Sequence, residues 1–498
     1  MTMSGDGYRA SLRGARAIFM NGARVTDMAA HPMLRPMIDI RAGILDMHGA
    51  EGTRDAMTDA DGLPVLTRMP RTAQDWHDRR TATDTLLRGS GGIVNRSGED
   101  TLAELWAIRD TLADSATADP ALAGNLCAML DRARAGDLFH VTAQTDPKGD
   151  RSRPPLQQQD PGMLLHVIRE TSAGIVVRGA KYVTAAVCAH RALVLPSITD
   201  WAQDDLTDHA LGFLCDLDAP GLTFICRAGF AGRGPAKDHP LSSRLDEVDS
   251  LLIFDDVLIP WDAVLFYRDP ETAAQVQACQ HRYAAFGFVQ RLGFLAELLI
   301  GTALHSLRQT GLDRLPAVQE RLARLAIFAE GINAHLTSAI VLARPGPTGL
   351  MMPDPSLLMC GRALATGQLP EMIHLTRELC GGQVALTPDQ ASFDAPDTGT
   401  WLDRYHCAGL RSGTEDRRRL LAFARDLLNS DHAAQQLSYQ LFAQSPPHAQ
   451  MAAAYHAFDW DGPLALVRDA AGLSAAAPSP EATVIPWPRA AAGHDAAG

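Results

Sequence analysis

No two cysteines of this chain stand at Cys-x-x-Cys spacing. The eight thiols fall at positions 127, 188, 215, 226, 279, 360, 380 and 407. That scatter excludes a zinc ribbon and a dithiol redox centre, and leaves buried or incidental thiols as the reading, with no metal expected. No apolar run approaches the roughly 18 residues of a membrane span, and MTMSGDGYRASLRGAR at the N-terminus lacks a signal-like apolar core, so a cytoplasmic protein is expected. Positive charge is short: 45 Lys and Arg stand against 58 Asp and Glu, a net −13. Long-range electrostatics therefore oppose nucleic acid and anionic membrane surfaces. A Gly-x-Gly-x-x-Gly dinucleotide fingerprint is missing too, so the chain has no recognisable nicotinamide site of its own.

What is present is a soluble, core-forming composition, 46% hydrophobic over 498 residues, long enough for two or three domains. Asn21-Gly22 reads as the type I′ turn of a hairpin. From Ile38 to about Arg134 apolar residues recur at three- and four-residue spacing, with Ser97 or Asp100 as candidate caps of the helix TLAELWAIRDTLAD. Residues 137–272 turn to short β-branched runs broken by Pro, Gly and Asp, the pattern of a barrel or sandwich. Residues 273–471 return to long Ala/Leu-rich helices, expected to pack as an antiparallel bundle. The Ala/Pro-rich tail, 472–498, reads as disordered.

The stretch Val167 to Thr184, VIRETSAGIVVRGAKYVT, is the most informative. Two β-rich runs flank the break Ser172-Ala173-Gly174, and Gly179-Ala180 lets the backbone bend or approach something closely. Together with Asp150-Arg-Ser152, with DHPLSSRLDEVDSLLIFDDVLIPWD (Asp238 to Asp262) and with RSGTEDRRRLLAFARDLL (Arg411 to Leu428), its wording resembles the 4-hydroxyphenylacetate 3-monooxygenase family. These are oxygenase components of two-component, reduced-flavin-dependent aromatic hydroxylases.

The resemblance spans about Tyr8 to Phe442. It implies an α+β, acyl-CoA dehydrogenase-like fold: an N-terminal helical domain (1–136), a middle β-barrel domain (137–272) and a C-terminal antiparallel helical bundle (273–471). It further implies a reduced flavin, FADH2 with FMNH2 as the alternative, and O2 as co-substrate. A separate NAD(P)H:flavin reductase would deliver the flavin by diffusion, and the oxygenase would be a homodimer or homotetramer. Hydroxylation would proceed through a flavin C4a-hydroperoxide.

Matched position by position, the family's flavin contacts fall on Thr142, Ala143 and Gln144, on Lys148, Gly149, Asp150 and Arg151, on Thr184, and on His432, Ala433, Ala434 and Gln435. Here the last group lacks the family's glycines and arginine, so phosphate-end binding is expected to be weaker. The phenol-orienting motif appears as Arg96-Ser97-Gly98-Glu99-Asp100, with Asp100 where the family has tyrosine. Thr142 stands at the family's histidine, and His140, two residues back on the same strand face, is the candidate substitute. Arg96, Asp100, His140 and Thr142 are thus the candidate catalytic residues, and Arg96, Asp100 and Ser197 the candidate substrate contacts. Arg96 otherwise reads as a helix-start arginine paired with Glu99 or Asp100.

With Asp100 in place of a phenol, the pocket is expected to favour a neutral or amine-bearing ring over a 4-hydroxyphenyl acid. A flavin-dependent acyl-CoA dehydrogenase remains an alternative on fold grounds. A related iron–sulfur dehydratase would need cysteines near Arg96 and Asp100, which the sequence does not supply, and a scaffold that has lost its site is the third class.

Overall fold

In the computed structural model, the described residues are 3–473 apart from 13, 15, 137, 151, 199, 202–204, 407–412 and 444. Arg151 and nearly all of the 472–498 tail therefore lie outside them.

The chain's first hairpin joins β1 (Ala17–Met20) to β2 (Ala23–Val25) through Asn21 and Gly22, both at positive φ, as the Asn-Gly pair predicts. Helices Arg35–Met47, Ala73–Ser90, Glu99–Asp114 and Pro120–Gly136 follow. The second starts on a capping box, Thr72 with Asp75. The third is capped by neither expected residue. Gly98 at φ +98° is its N-cap, and Ser97 turns its hydroxyl to Glu99.

Eight strands come next: β3 (His140–Ala143), β4 (His166–Glu170), β5 (Gly174–Thr184), β6 (Arg191–Val194), β7 (Leu211–Asp216), β8 (Leu222–Cys226), β9 (Asp249–Pro260) and β10 (Val264–Tyr267). They form two open sheets, ordered β2-β1-β8-β9-β5-β4 and β10-β7-β6-β3, so the expected barrel is not closed. The first hairpin belongs to this layer, since β1 runs parallel to β8, pairing Ile18 with Phe224. Gly179, at φ +132° in a bulge of β5, passes so close to Leu164 and Leu165 that a Cβ would lie 2.6 Å from Leu165 Cα, the close approach read from Gly179-Ala180.

The sheets pack face to face over a core that includes Val141, Ala143, Val177, Val194, Phe213, Phe224 and Phe254. On its other face the four-stranded sheet meets the helices, with Leu193, Leu195 and Leu214 joining the helical core. Buried on both sides, β6 and β7 read as near-continuous apolar runs, whereas β3, His-Val-Thr-Ala, alternates, with Val141 and Ala143 in the inter-sheet core and His140 and Thr142 on the opposite face.

The C-terminal bundle is built from His281–Thr310, Pro316–Val341 and Pro355–Cys380, with Thr414–Leu428 and Asp431–Phe442 behind them. Pro270–Thr310 is long and apolar enough to cross a membrane, at mean hydropathy 1.4, but 72% of its most apolar window is buried inside the protein. It is the core helix that carries charges from the bundle into the site.

Candidate active site

Glu247 fixes Arg96 through the backbone. Its two carboxylate oxygens accept the N–H groups of Asn95 and Arg96, each at 2.7 Å. Burial pushes this carboxyl up to about 7 against the pull of those two N–H groups and of Arg96 itself. Burial opposes the Arg96 charge, yet Tyr439, Glu104, Asp100 and Glu247 more than offset it, so the guanidinium stays above its ordinary value. Its Nε is buried with no hydrogen-bond partner among the described residues, and the guanidinium carbon lies 5.8 Å from the centre of the Tyr439 ring. Asn95 ties this segment to the helix bearing Tyr439, giving a hydrogen bond to Gln436 and taking one from Gln440, both at 2.9 Å.

Glu99 and Asp100 do not pair with Arg96. Both face Arg291 of the long helix, Glu99 at 3.1 Å and Asp100 in a closer contact. Burial raises Asp100 from its ordinary value although Arg291 pulls it down. Its charge is thus matched by an arginine nearly two hundred residues away, and the repulsion of acidic substrates expected at Asp100 is largely cancelled there.

A carboxylate does stand beside Thr142, and it is Glu104. Thr142 Oγ1 donates to Glu104 Oε2 and lies 3.0 Å from Thr101 Oγ1. The other oxygen of Glu104 is 3.3 Å from His281 Nδ1. That distance suits an ion pair, though the ring lies off the hydrogen-bond line. Beyond it, Gln280 Nε2 reaches both His281 Nε2 at 3.2 Å and Gln144 Oε1 at 2.7 Å. Thr142, Glu104, His281, Gln280 and Gln144 therefore form one chain of polar contacts, with Gln280 Oε1 buried and without a partner among the described residues.

His140 is placed differently. Its Nδ1 is 2.8 Å from the Leu138 carbonyl, its Nε2 has no partner among the described residues, and burial lowers its pKa to about 4. It is a neutral imidazole near neutral pH. Ala143, the last residue of β3, turns its methyl into the inter-sheet core.

The remaining sequence-predicted residues gather at two places. Thr145 pairs with Tyr182, its carbonyl accepting at 2.8 Å, so the end of β3 lies against the end of β5 that carries Thr184. Thr184 donates to Asp249 at 2.6 Å, and Gln435 reaches the same carboxylate at 3.3 Å, bringing together two residues 251 positions apart in sequence. His432 packs edge-on to Phe230, Ala433 N–H is capped by Ser430, and Ala434 is exposed.

The second place is an open cleft of about 180 Å³ lined by Lys148, Gly149, Asp150 and Ser197. Ser197 gives both its N–H and its hydroxyl to Asp146, which is paired with buried Lys181. Gly149 has φ +22°, and a Cβ there would lie 2.3 Å from Gln158 Oε1, so a larger residue would displace the Gln158 amide that accepts from Asp150 N–H. Asp150 folds back on Ser152. Lys148 is exposed, with no carboxylate partner among the described residues.

Sequence reasoning missed Glu104, Glu247, Tyr439, Arg291 and His281. A carboxylate one turn after Asp100 on a buried helix face was the one local signal available.

The comparisons with known proteins agree along the whole chain. The model described as 4-hydroxyphenylacetate 3-hydroxylase N terminal matches residues 4–266, and its C-terminal counterpart matches 271–472. The chain is 28% identical to a Thermus thermophilus 4-hydroxyphenylacetate 3-monooxygenase oxygenase component, covering 89% of this chain and 91% of that one. It is 28% identical to a Streptomyces globisporus monooxygenase of (3S)-3-amino-3-(3-chloro-4-hydroxyphenyl)propanoyl-[peptidyl-carrier protein SgcC2], over 88% and 84% of the two chains. A crystal structure of the oxygenase component of 4-hydroxyphenylacetate 3-monooxygenase, complexed with FAD and 4-hydroxyphenylacetate, superimposes with TM-score 0.86 at 26% identity, covering 94% of this chain and 99% of that one. With both halves matched and the fold shared, this chain belongs to the 4-hydroxyphenylacetate 3-hydroxylase family.

Proposed function

We propose that the protein is the oxygenase component of a two-component flavin-dependent monooxygenase that hydroxylates an aromatic small molecule. The observation that carries this reading is the meeting of an unspent, buried Arg96 donor with the Thr142–Glu104–His281 chain, in a protein matched to the hydroxylase family over both halves. The residues present fit a reduced FAD. Gln144 and Thr184 are neighbours at the Thr145–Tyr182 bridge, and the open cleft at Lys148 and Gly149 offers cationic and backbone donors. When bound, the flavin supplies the electrons that activate O2, of which one atom enters the ring and the other leaves as water.

The chain's own part is orientation and proton handling. Arg96, with its backbone pinned by Glu247, presents N–H donors to an oxygen or π-face of the ring. Burial, ahead of all other effects, pushes Tyr439 up to about 12, so its hydroxyl is a neutral donor throughout the working range. His281 accepts the ring proton lost on rearomatisation, and Glu104 stabilises the resulting imidazolium. Both imidazolium nitrogens are then donors, and a half-turn of the Gln280 amide would offer Nε2 the presently unpartnered Oε1.

The substrate class follows from charge. Asp100 is spent on Arg291, but Glu104 keeps a carboxylate beside Thr142, so a neutral or amine-bearing ring is favoured over a free aryl acid. A separate NAD(P)H:flavin reductase supplies the reduced flavin, and the working particle is a homodimer or homotetramer. The test supplies reductase, NADH and O2 with a panel of amino-aromatics and 4-hydroxyphenylacetate, after anaerobic titration with reduced flavin. Tight flavin binding and coupled hydroxylation of an amino-aromatic are expected. Failure to bind reduced flavin would overturn the oxygenase reading, and well-coupled turnover of 4-hydroxyphenylacetate would overturn the substrate class.

A further inference from the structure

Near Arg96, between the N-terminal helices and the bundle, lies a cavity of about 40 Å³ that touches the matched flavin positions His432 and Ala433 at its edge but none of Arg96, Glu104, Thr142 and His281. Its walls are mostly aliphatic, from Leu241, Leu245, Leu298, Leu299, Ile373 and Leu437. Gly92 and Ile93 line it as well, only a few residues before Arg96, and Leu245 is shared with the smaller cavity that Arg96 and Glu247 line. The space is too small for an aromatic ring and suits a diatomic molecule.

We propose that this cavity is a holding site for O2 beside the hydroxylation centre. The proposal rests on the oxygenase reading above, which requires an apolar gas to reach a buried, charge-dense site. O2 gains nothing from the charges around Arg96, Glu247 and Glu104, whereas an aliphatic cavity accepts it without stripping water from polar groups. Its polar members are few. His432 Nδ1 and Gln440 Oε1 are buried without a partner among the described residues, so a bridging water is the competing occupant.

Gly92 supplies a one-methyl test. A Cβ built there would lie 2.2 Å from Leu245 Cδ1 and 3.4 Å from Leu241 Cδ2, so Gly92→Ala drives Leu245 toward the cavity. Crystals of the full chain pressurised with xenon should show an atom among Leu298, Leu299 and Ile373. Gly92→Ala should lose that atom and raise the KM for O2 several-fold, with reduced-flavin affinity and KM for the aromatic substrate unchanged. Leu437→Phe, filling the opposite wall, should do the same if Gly92→Ala fails to fold. An ordered water and no xenon in the wild type would overturn the proposal. So would a bound xenon with an unaltered KM for O2 in a folded filled variant. Loss of flavin binding in the wild type would instead defeat the oxygenase reading, which keeps the two failures distinct.

Discussion

The Arg96 neighbourhood and the cleft at Lys148 are both built from sequence-predicted residues, yet they are opposite in character. Around Arg96 the carboxylates are buried and matched: Glu99 and Asp100 with Arg291, Glu104 with the Thr142 hydroxyl, Glu247 with two backbone N–H groups. Around Lys148 the Asp146–Lys181 pair is buried, but Lys148 and Asp150 are exposed, with Asp150 turned on Ser152 of its own loop. Buried charges cannot relax when a partner is lost, so geometry there is fixed in advance of any ligand. Exposed ones are screened and replaceable, which suits a region that must admit and release a mobile cofactor.

Asp100→Asn is expected to break this contrast most severely. It leaves Arg291 facing Glu99 alone in a buried position, and loss of one partner of such a pair costs about 3–5 kcal/mol. Urea denaturation of the two proteins measures it, and a change under ~1 kcal/mol would place the Arg291 cluster among surface-like pairs. Arg96→Ala comes next. Removing a preorganised donor lowers kcat by about 10²–10³-fold, with the circular dichroism melt little altered, because Glu247 holds the backbone rather than the side chain of residue 96. His281→Asn should lower kcat by about 10²-fold and flatten its pH profile, without weakening flavin binding.

Glu247 supplies a subtler test. Its folded value, about 7, lies above the ordinary 4.5 because of burial, so the native state holds a proton the unfolded chain has released. The associated stability is complete below 4.5 and is lost as pH rises toward 7. Melting temperatures measured across that interval should fall with pH in the wild type, and Glu247→Gln should remove that part of the slope. Lys148→Ala belongs at the small end, with a few-fold weaker flavin affinity and a reduced salt dependence. A hundredfold loss would show the cleft to be as preorganised as the Arg96 side.

Much of the fold was legible because periodicity is local. The three-and-four spacing in TAQDWHDRRTATDTLLRGS and the Asn21-Gly22 turn each report on a few adjacent residues, and each gave the element observed. Barrel closure was not legible, since it depends on which edge strands find one another. The sequence offers no sign that β4 and β10 end their separate sheets. The same limit governs the site. Arg96, Thr142 and Gln144 could be placed by matching a contiguous motif, but Arg291, His281 and Tyr439 enter from helices whose own sequences look like ordinary bundle. Asp100 was read as an anion with Arg96 as its one candidate partner, because its counter-charge lies on another element. A buried charge is intelligible only with its partner in view.

The parallel pairing of β1 with β8 also sets a timetable. Residues 17–20 cannot take their place in the sheet until residues 223–226 have been made. At about 5–20 residues per second, the first hairpin waits roughly 10–40 s after synthesis with one edge unpaired. During that interval Ile18 and Met20, both buried in the finished protein, have no β8 to lie beside. The N-terminus is thus the first part to be synthesised and among the last to be secured, and a chaperone bound there would protect the whole β layer.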